Sequence, residues 1–178
     1  MSDMDRAAPQ PFPHDAFDDV LAGNSDFIAR FTPTGRSGRA ARGLAIVTCM
    51  DSRVLPLESV GMAIGDAKIL RNAGARVTQD VLRTLALATY LLEVNRILVM
   101  PHTDCRMAKG SEETVHQQIF DTYGVNTWSM QFDTTTDQLG ALRTDVARVR
   151  SFPFLAGDVD VAGAVYDVET GRIIPQDV

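Results

Sequence analysis

From residue 43 onward, two hydrophobic periods alternate along the chain. Gly43-Leu44-Ala45-Ile46-Val47-Thr48-Cys49 is a short, nearly continuous apolar run, the pattern of a strand buried on both faces. Ala67-Lys68-Ile69-Leu70-Arg71 and Arg96-Ile97-Leu98-Val99-Met100 repeat it. Between these two runs, residues 78–94 place Val81, Leu82, Leu85, Leu87, Ala88, Leu91 and Leu92 on a wide helical face, with Thr78 or Gln79 near its start. Residues 54–62 have room for one or two helical turns, and residues 111–121 and 137–150 read as further helices. A strand over 159–168, a turn at Glu169-Thr170-Gly171 and a returning edge at Arg172-Ile173-Ile174 close the pattern. Strands that alternate with helices pair in parallel through right-handed crossovers. The expected fold class is therefore α/β: a central, mostly parallel sheet with flanking helices and an antiparallel edge strand at the C-terminus. Residues 1–42 read as an N-terminal helical arm and linker. The helix there is expected over 20–31, with Leu21, Phe27, Ile28 and Phe31 as a sparse apolar stripe, and 32–42 form a Gly- and Arg-rich loop. Residues 43–178 form a single domain.

Composition narrows the partners. The 178 residues are 45% hydrophobic and 22% charged, the balance of a soluble globular protein with one sizeable core. A net charge of −6 argues against nucleic acid or an anionic membrane as the main partner. The first twenty residues lack the basic stretch and apolar run of an export signal. The stretch 81–92 contains Arg83 and is too short to span a bilayer. A cytoplasmic location is expected, where thiols stay reduced.

The chain has only two cysteines, Cys49 and Cys105, so a disulfide scaffold is not expected. Cys49 ends the first apolar run, and His102-Thr103-Asp104-Cys105 follows the third. In open parallel sheets, ligands bind outside the carboxyl ends of the strands, where strand order reverses. If the first and third strands are neighbours, they lie about 4.8 Å apart, and Cys49 faces the His102–Cys105 turn across one crevice. Two thiolates and one imidazole suit a catalytic zinc that keeps a fourth position open. Taken singly, each residue has a plainer reading: Cys49 as core packing, His102 as a hydrogen-bonded loop residue, and the two cysteines as a disulfide or redox pair. Of the other histidines, His14 falls in the arm, and His116 is expected on a solvated helix face.

These segments resemble the beta-class carbonic anhydrases. The family's Cys-x-Asp-x-Arg signature is Cys49-Met50-Asp51-Ser52-Arg53, its His-x-x-Cys is His102-Thr103-Asp104-Cys105, and Arg71-Asn72-Ala73-Gly74 lies between them. The resemblance covers roughly residues 20–174. Arg106 stands where the family often has Gly, and Pro101 precedes the histidine. The resemblance implies one zinc ion per chain on Cys49, His102 and Cys105, and reversible hydration of CO2 to bicarbonate by a zinc-held hydroxide. Asp51 and Arg53 would be the dyad that orients it, and Gly74 a residue of the substrate pocket. It also leaves open that Asp51 itself takes the fourth zinc position. Asp104 is read as orienting His102 or capping the following helix. Hydrolysis of CS2 or COS on the same scaffold and a non-catalytic zinc or thiol-redox module are the alternatives. A homodimer or homotetramer built through the arm and a sheet edge is implied as well. No Gly-x-Gly-x-x-Gly or Gly-Lys-Ser/Thr element follows a strand, so a dinucleotide site is not expected.

Overall fold

The computed structural model describes residues 11–33, 35 and 37–178. The first ten residues of the expected arm, with Thr34 and Arg36 of the expected linker, lie outside the described residues. The chain divides into two units, Met1–Gly35 and Arg36–Val178.

The first unit contains helix α1, His14–Ile28. It begins before the expected residue 20 and ends before residue 31. Asp15, Asp18 and Asp19 dilute the apolar spacing there, yet Asp15 in the first turn suits the positive end of the helix dipole. Phe12 packs its ring against His14 and Phe17 at the helix entrance, at centroid distances of 5.1 and 5.4 Å.

The second unit is an α/β layer structure. Its strands are β1 (Leu44–Cys49), β2 (Ala67–Asn72), β3 (Arg96–Met100), β4 (Asp160–Tyr166) and β5 (Ile173–Gln176). The order across the sheet is β2-β1-β3-β4-β5. The first four are parallel and β5 runs antiparallel beside β4. The helices are α2 (Gln79–Leu91), α3 (Glu112–Tyr123) and α4 (Gln138–Arg150). Each starts on a side-chain cap: Thr78 accepts from the Val81 amide, Ser111 from Thr114 and Asp137 from Gly140. Of the turns expected over 54–62, one forms, a single 3-10 turn at Glu58–Val60.

Period 2 divides β1 between two cores. Ala45 and Val47 pack with Val81, Leu85 and Ala88 of α2 and with Leu142, Val146 and Val149 of α4. Leu44 and Ile46 face Val54, Met100 and Tyr166 on the other side. All six residues of β1 are buried, which is why the strand reads as an unbroken apolar run.

The chain leaves β1 for β2 on one side, and β3 enters on the other, so the strand order reverses between β1 and β3. Their registers pair Thr48 with Met100, and the Thr48 hydroxyl donates to the Met100 carbonyl at 2.7 Å. Beyond Met100 the third strand continues as a bridge from His102 to Tyr166. The Tyr166 amide donates to the Pro101 carbonyl and the Thr103 amide to Tyr166, both at 2.9 Å.

Leu85 is fully buried under the sheet. Replacing it with Ala is expected to cost about 3 kcal/mol of unfolding free energy, read from the midpoint of a urea titration.

Candidate metal centre

Three chain segments meet at the reversal point. Cys49 is the last residue of β1, His102 sits on the extension of β3, and Cys105 starts the short 3-10 turn at Arg106–Ala108. Cys49 Sγ, Cys105 Sγ and a ring nitrogen of His102 all lie within 4.8 Å of one another, and all three residues are buried. Both cysteines are free, with their sulfurs 3.9 Å apart. Two thiolates about 2.3 Å from one tetrahedral centre stand about 3.8 Å apart, so the separation suits a shared metal.

The imidazole is oriented for the same purpose. His102 Nδ1 lies 2.7 Å from the Thr103 carbonyl, a contact that makes Nδ1 the donor and leaves the lone pair on Nε2. His102 is fully buried, and Nε2 has no hydrogen-bond partner among the described residues. A buried nitrogen without a hydrogen bond is costly unless something else binds it. Together with two sulfurs, it is the donor set a divalent metal takes, and the residues fit the group.

The sulfurs sit in a positive microenvironment made by backbone amides. The Gly74 amide donates to Cys49 Sγ at 3.4 Å, and the nearby backbone of Asp51 for Cys49, and of Met107 and Ala108 for Cys105, favours the thiolate form. The neighbouring Cys105 thiol, more than any other group, pulls the Cys49 pKa down to about 3. His102 and the backbone of Asp51 and Gly74 assist, and burial opposes. The same contact and burial push the Cys105 thiol up. His102 is raised chiefly by its contact with Cys49. One of the two sulfurs is thus readily a thiolate, the form that ligates metal.

Asp51, partly exposed, and Arg53, exposed, stand beside the triad. Arg53 reaches Asp51 through Nε at 3.0 Å and a terminal nitrogen at 2.8 Å, and its own amide donates to the same carboxylate at 2.9 Å. This two-pronged clamp holds the Asp51 carboxyl below the usual carboxylate range. Asp51 Oδ2 lies 3.7 Å from His102 Nε2, so an aimed carboxylate flanks the donor atoms.

Asp104 does neither of the two things expected of it. It turns away from His102 in a left-handed conformation, φ 58°, and pairs with Arg53 at 2.9 Å and with Lys109. Thr103, not Asp104, orients the histidine. His116 is a further correction. It is buried, stacks on Trp128 with centroids 4.7 Å apart, and bonds the Thr127 hydroxyl. Residues 125–134 fold back over α3 and cover it. Arg106 is exposed and bonds Gln118 of α3.

Gly74 lies beside Cys49, in a turn whose φ of 81° favours glycine. Arg71 is the residue that sequence reasoning left without a role. Its guanidinium donates to the Cys49 and Asp51 carbonyls at 2.9 and 2.6 Å, fixing the loop that carries Asp51. Gln138 likewise holds the His102 carbonyl at 2.9 Å. Arg71 was signalled by its place in the Arg71–Gly74 segment; Gln138 had no signal.

The profile of the carbonic anhydrase family matches residues 44–146. Beta-carbonic anhydrase 1 of Mycobacterium tuberculosis is 34% identical over 160 residues, covering 88% of this chain and 94% of its own. The chain belongs to the beta class of the carbonic anhydrases. Another relative of this carbonic anhydrase is the carbon disulfide hydrolase of an Acidianus strain. It is 33% identical over 156 residues, covering 74% of this chain and 76% of its own. A crystal structure of carbonic anhydrase from Streptococcus mutans superposes with a TM-score of 0.83 at 33% identity, covering 93% of this chain and 99% of that one.

A Cβ on Gly74 would stand 3.1 Å from the Met107 Cβ in a left-handed backbone. The variant Gly74→Ala is expected to lose about 2 kcal/mol of stability, measured by chemical denaturation.

Proposed function

We propose that this chain reversibly hydrates carbon dioxide to bicarbonate and a proton, using one zinc ion held by Cys49, His102 and Cys105. The observation that carries the reading is the buried Cys-His-Cys triad with an ionised, clamped carboxylate beside it. Zinc bound there supplies Lewis acidity that brings the pKa of water from about 15.7 toward 7. Two thiolates offset the metal charge more than imidazoles do, so the chain's own helpers matter more.

Asp51 is the first helper. Ionised and beside the donor atoms, it accepts a hydrogen bond from the attacking water and turns a lone pair toward the carbon of CO2. Arg53 keeps that carboxylate aimed by holding both its oxygens, and Arg71 fixes the backbone beneath it. Gly74 forms part of the substrate pocket wall. The alternative of a non-catalytic zinc or redox module leaves this clamp without a purpose.

Hydrolysis of CS2 or COS is the second reading, favoured by one specific observation: a relative named carbon disulfide hydrolase at 33% identity. The donor set and the clamp serve either reaction. The assembly we propose is a homodimer or homotetramer. Phe17, Leu21, Phe27 and Phe31 of the arm are all exposed and offer apolar surface to a second copy. No helix among the described residues is long and apolar enough to cross a membrane. A reducing, cytoplasmic setting suits two thiols that must stay free to ligate.

Purified protein is expected to contain about one zinc per chain, and Cys49→Ser to lose it. Stopped-flow assays should show CO2 hydration that chelation abolishes and Asp51→Asn lowers about 100-fold. Full zinc occupancy without turnover of CO2 would refute the reading, and turnover of CS2 or COS in its place would select the second. Light scattering at micromolar concentration should give a dimer or tetramer mass; a monomer refutes the assembly.

A further inference from the structure

Asp145 is a carboxylate that the chemistry above does not use. It lies on α4, is only 2% exposed, and accepts from Arg76 Nε at 2.7 Å through one oxygen. Its other oxygen, Oδ1, is buried and has no partner among the described residues. Arg76 does not turn to satisfy it, because another arm of the guanidinium donates to the Asp133 carbonyl at 2.8 Å. A buried carboxylate oxygen left bare is strongly unfavourable, so a donor from outside the chain belongs there.

The space beside Asp145 defines that donor. A cavity of about 10 Å³ is lined by Asp145, Gly74, Pro101, Cys105, Thr135 and Gln138, among others. This is the volume of a single water, which also needs two to four polar partners. Asp145 Oδ1 and Cys105 Sγ offer two. Because Arg76 already neutralises Asp145, neither an anion nor a cation gains much there, and the space suits a neutral molecule of water size.

We infer that the cavity beneath α4 binds one water, which donates one hydrogen to Asp145 Oδ1 and the other to Cys105 Sγ. Asp145 is then a positioning residue for the metal centre. The water adds a donor to a sulfur beside the Met107 and Ala108 backbone. It draws charge off that thiolate and leaves the metal more acidic. The same ion pair also steadies Cys49. Arg76 exchanges backbone bonds with the Asn72 side chain at 2.9 and 2.7 Å, which pins the turn that points the Gly74 amide at Cys49. The proposal rests on the reading of Cys105 as a ligand.

The test combines crystallography of the zinc-loaded protein with absorption of its cobalt-substituted form. The variants are wild type and the double variant Arg76→Met with Asp145→Leu, which removes both charges together so that neither is stranded. Wild-type density should show one ordered water within hydrogen-bond distance of Asp145 Oδ1 and Cys105 Sγ. In the double variant the water should be gone, and the sulfur-to-cobalt charge-transfer band should move to lower energy. No water in wild-type density overturns the proposal, as does a band that stays put when the water is lost. If the double variant does not fold, the wild-type density decides alone. Metal bound beside a dry cavity overturns this proposal only, whereas protein that binds no divalent metal overturns the metal-centre reading and the role of the water with it.

Discussion

The parallel pairing of β1 with β3 is the constraint on which the site depends. Strand order reverses between them, so the segments leaving their carboxyl ends diverge and open a crevice. Cys49 terminates one strand and His102 extends the other. Ladder hydrogen bonds and the bond from the Thr48 hydroxyl to the Met100 carbonyl hold the two ends in register. A slip of one residue would turn Cys49 to the opposite face and separate it from Cys105. The apolar packing of Ala45 and Val47 under α2 and α4 makes that slip costly, since it would exchange the two cores. Stability and metal-site geometry therefore share one cause.

Burying Cys49, His102 and Cys105 together has to be compensated, and the backbone does most of this. Backbone amides lie close to both sulfurs, delivered by tight turns, and the Gly74 N–H donates to Cys49 Sγ. Gly74 and Asp104 both adopt left-handed backbone in these turns, with φ of 81° and 58°. Glycine enters that region freely, and Asp is one of the few other residues that tolerate it. Around this shell lies a ring of charge: Arg53 joins Asp51 to Asp104, and Lys109 joins Asp104 from the far side. On an acidic chain, the arginines and amides gather where negative sulfur and carboxylate must coexist.

Both a carbonic anhydrase and a carbon disulfide hydrolase stand among the relatives of this chain. A linear triatomic molecule with an electrophilic carbon requires an aimed oxygen nucleophile more than it requires elaborate binding groups. Under the proposed reading, the same Cys-His-Cys donors and the same clamped carboxylate would serve CO2, CS2 or COS, and discrimination would fall to the walls of the crevice.

The alternation of apolar runs with helical stripes was sufficient to determine the α/β class, the order of elements and the bounds of β3, because burial on both faces leaves a composition that no surface segment shares. The candidate donor residues were legible too: the chain has two cysteines, one ending β1 and the other in the segment that follows β3. Legibility stopped where partners come from distant segments. Arg71 reaches back to Cys49 and Asp51, Gln138 reaches from α4 to His102, and Asp145 meets Arg76 across 69 positions. The polar face on which His116 was placed is covered by Trp128 and Phe132, a burial that helical spacing cannot reveal. Asp104, adjacent to Cys105 in sequence, pairs instead with Arg53 and Lys109. Periodicity and residue type depend on local chain chemistry, so the amino-acid sequence alone determined the elements and the donors. Which side chains complete each other's hydrogen bonds depends on through-space distance, and that only the tertiary structure decided.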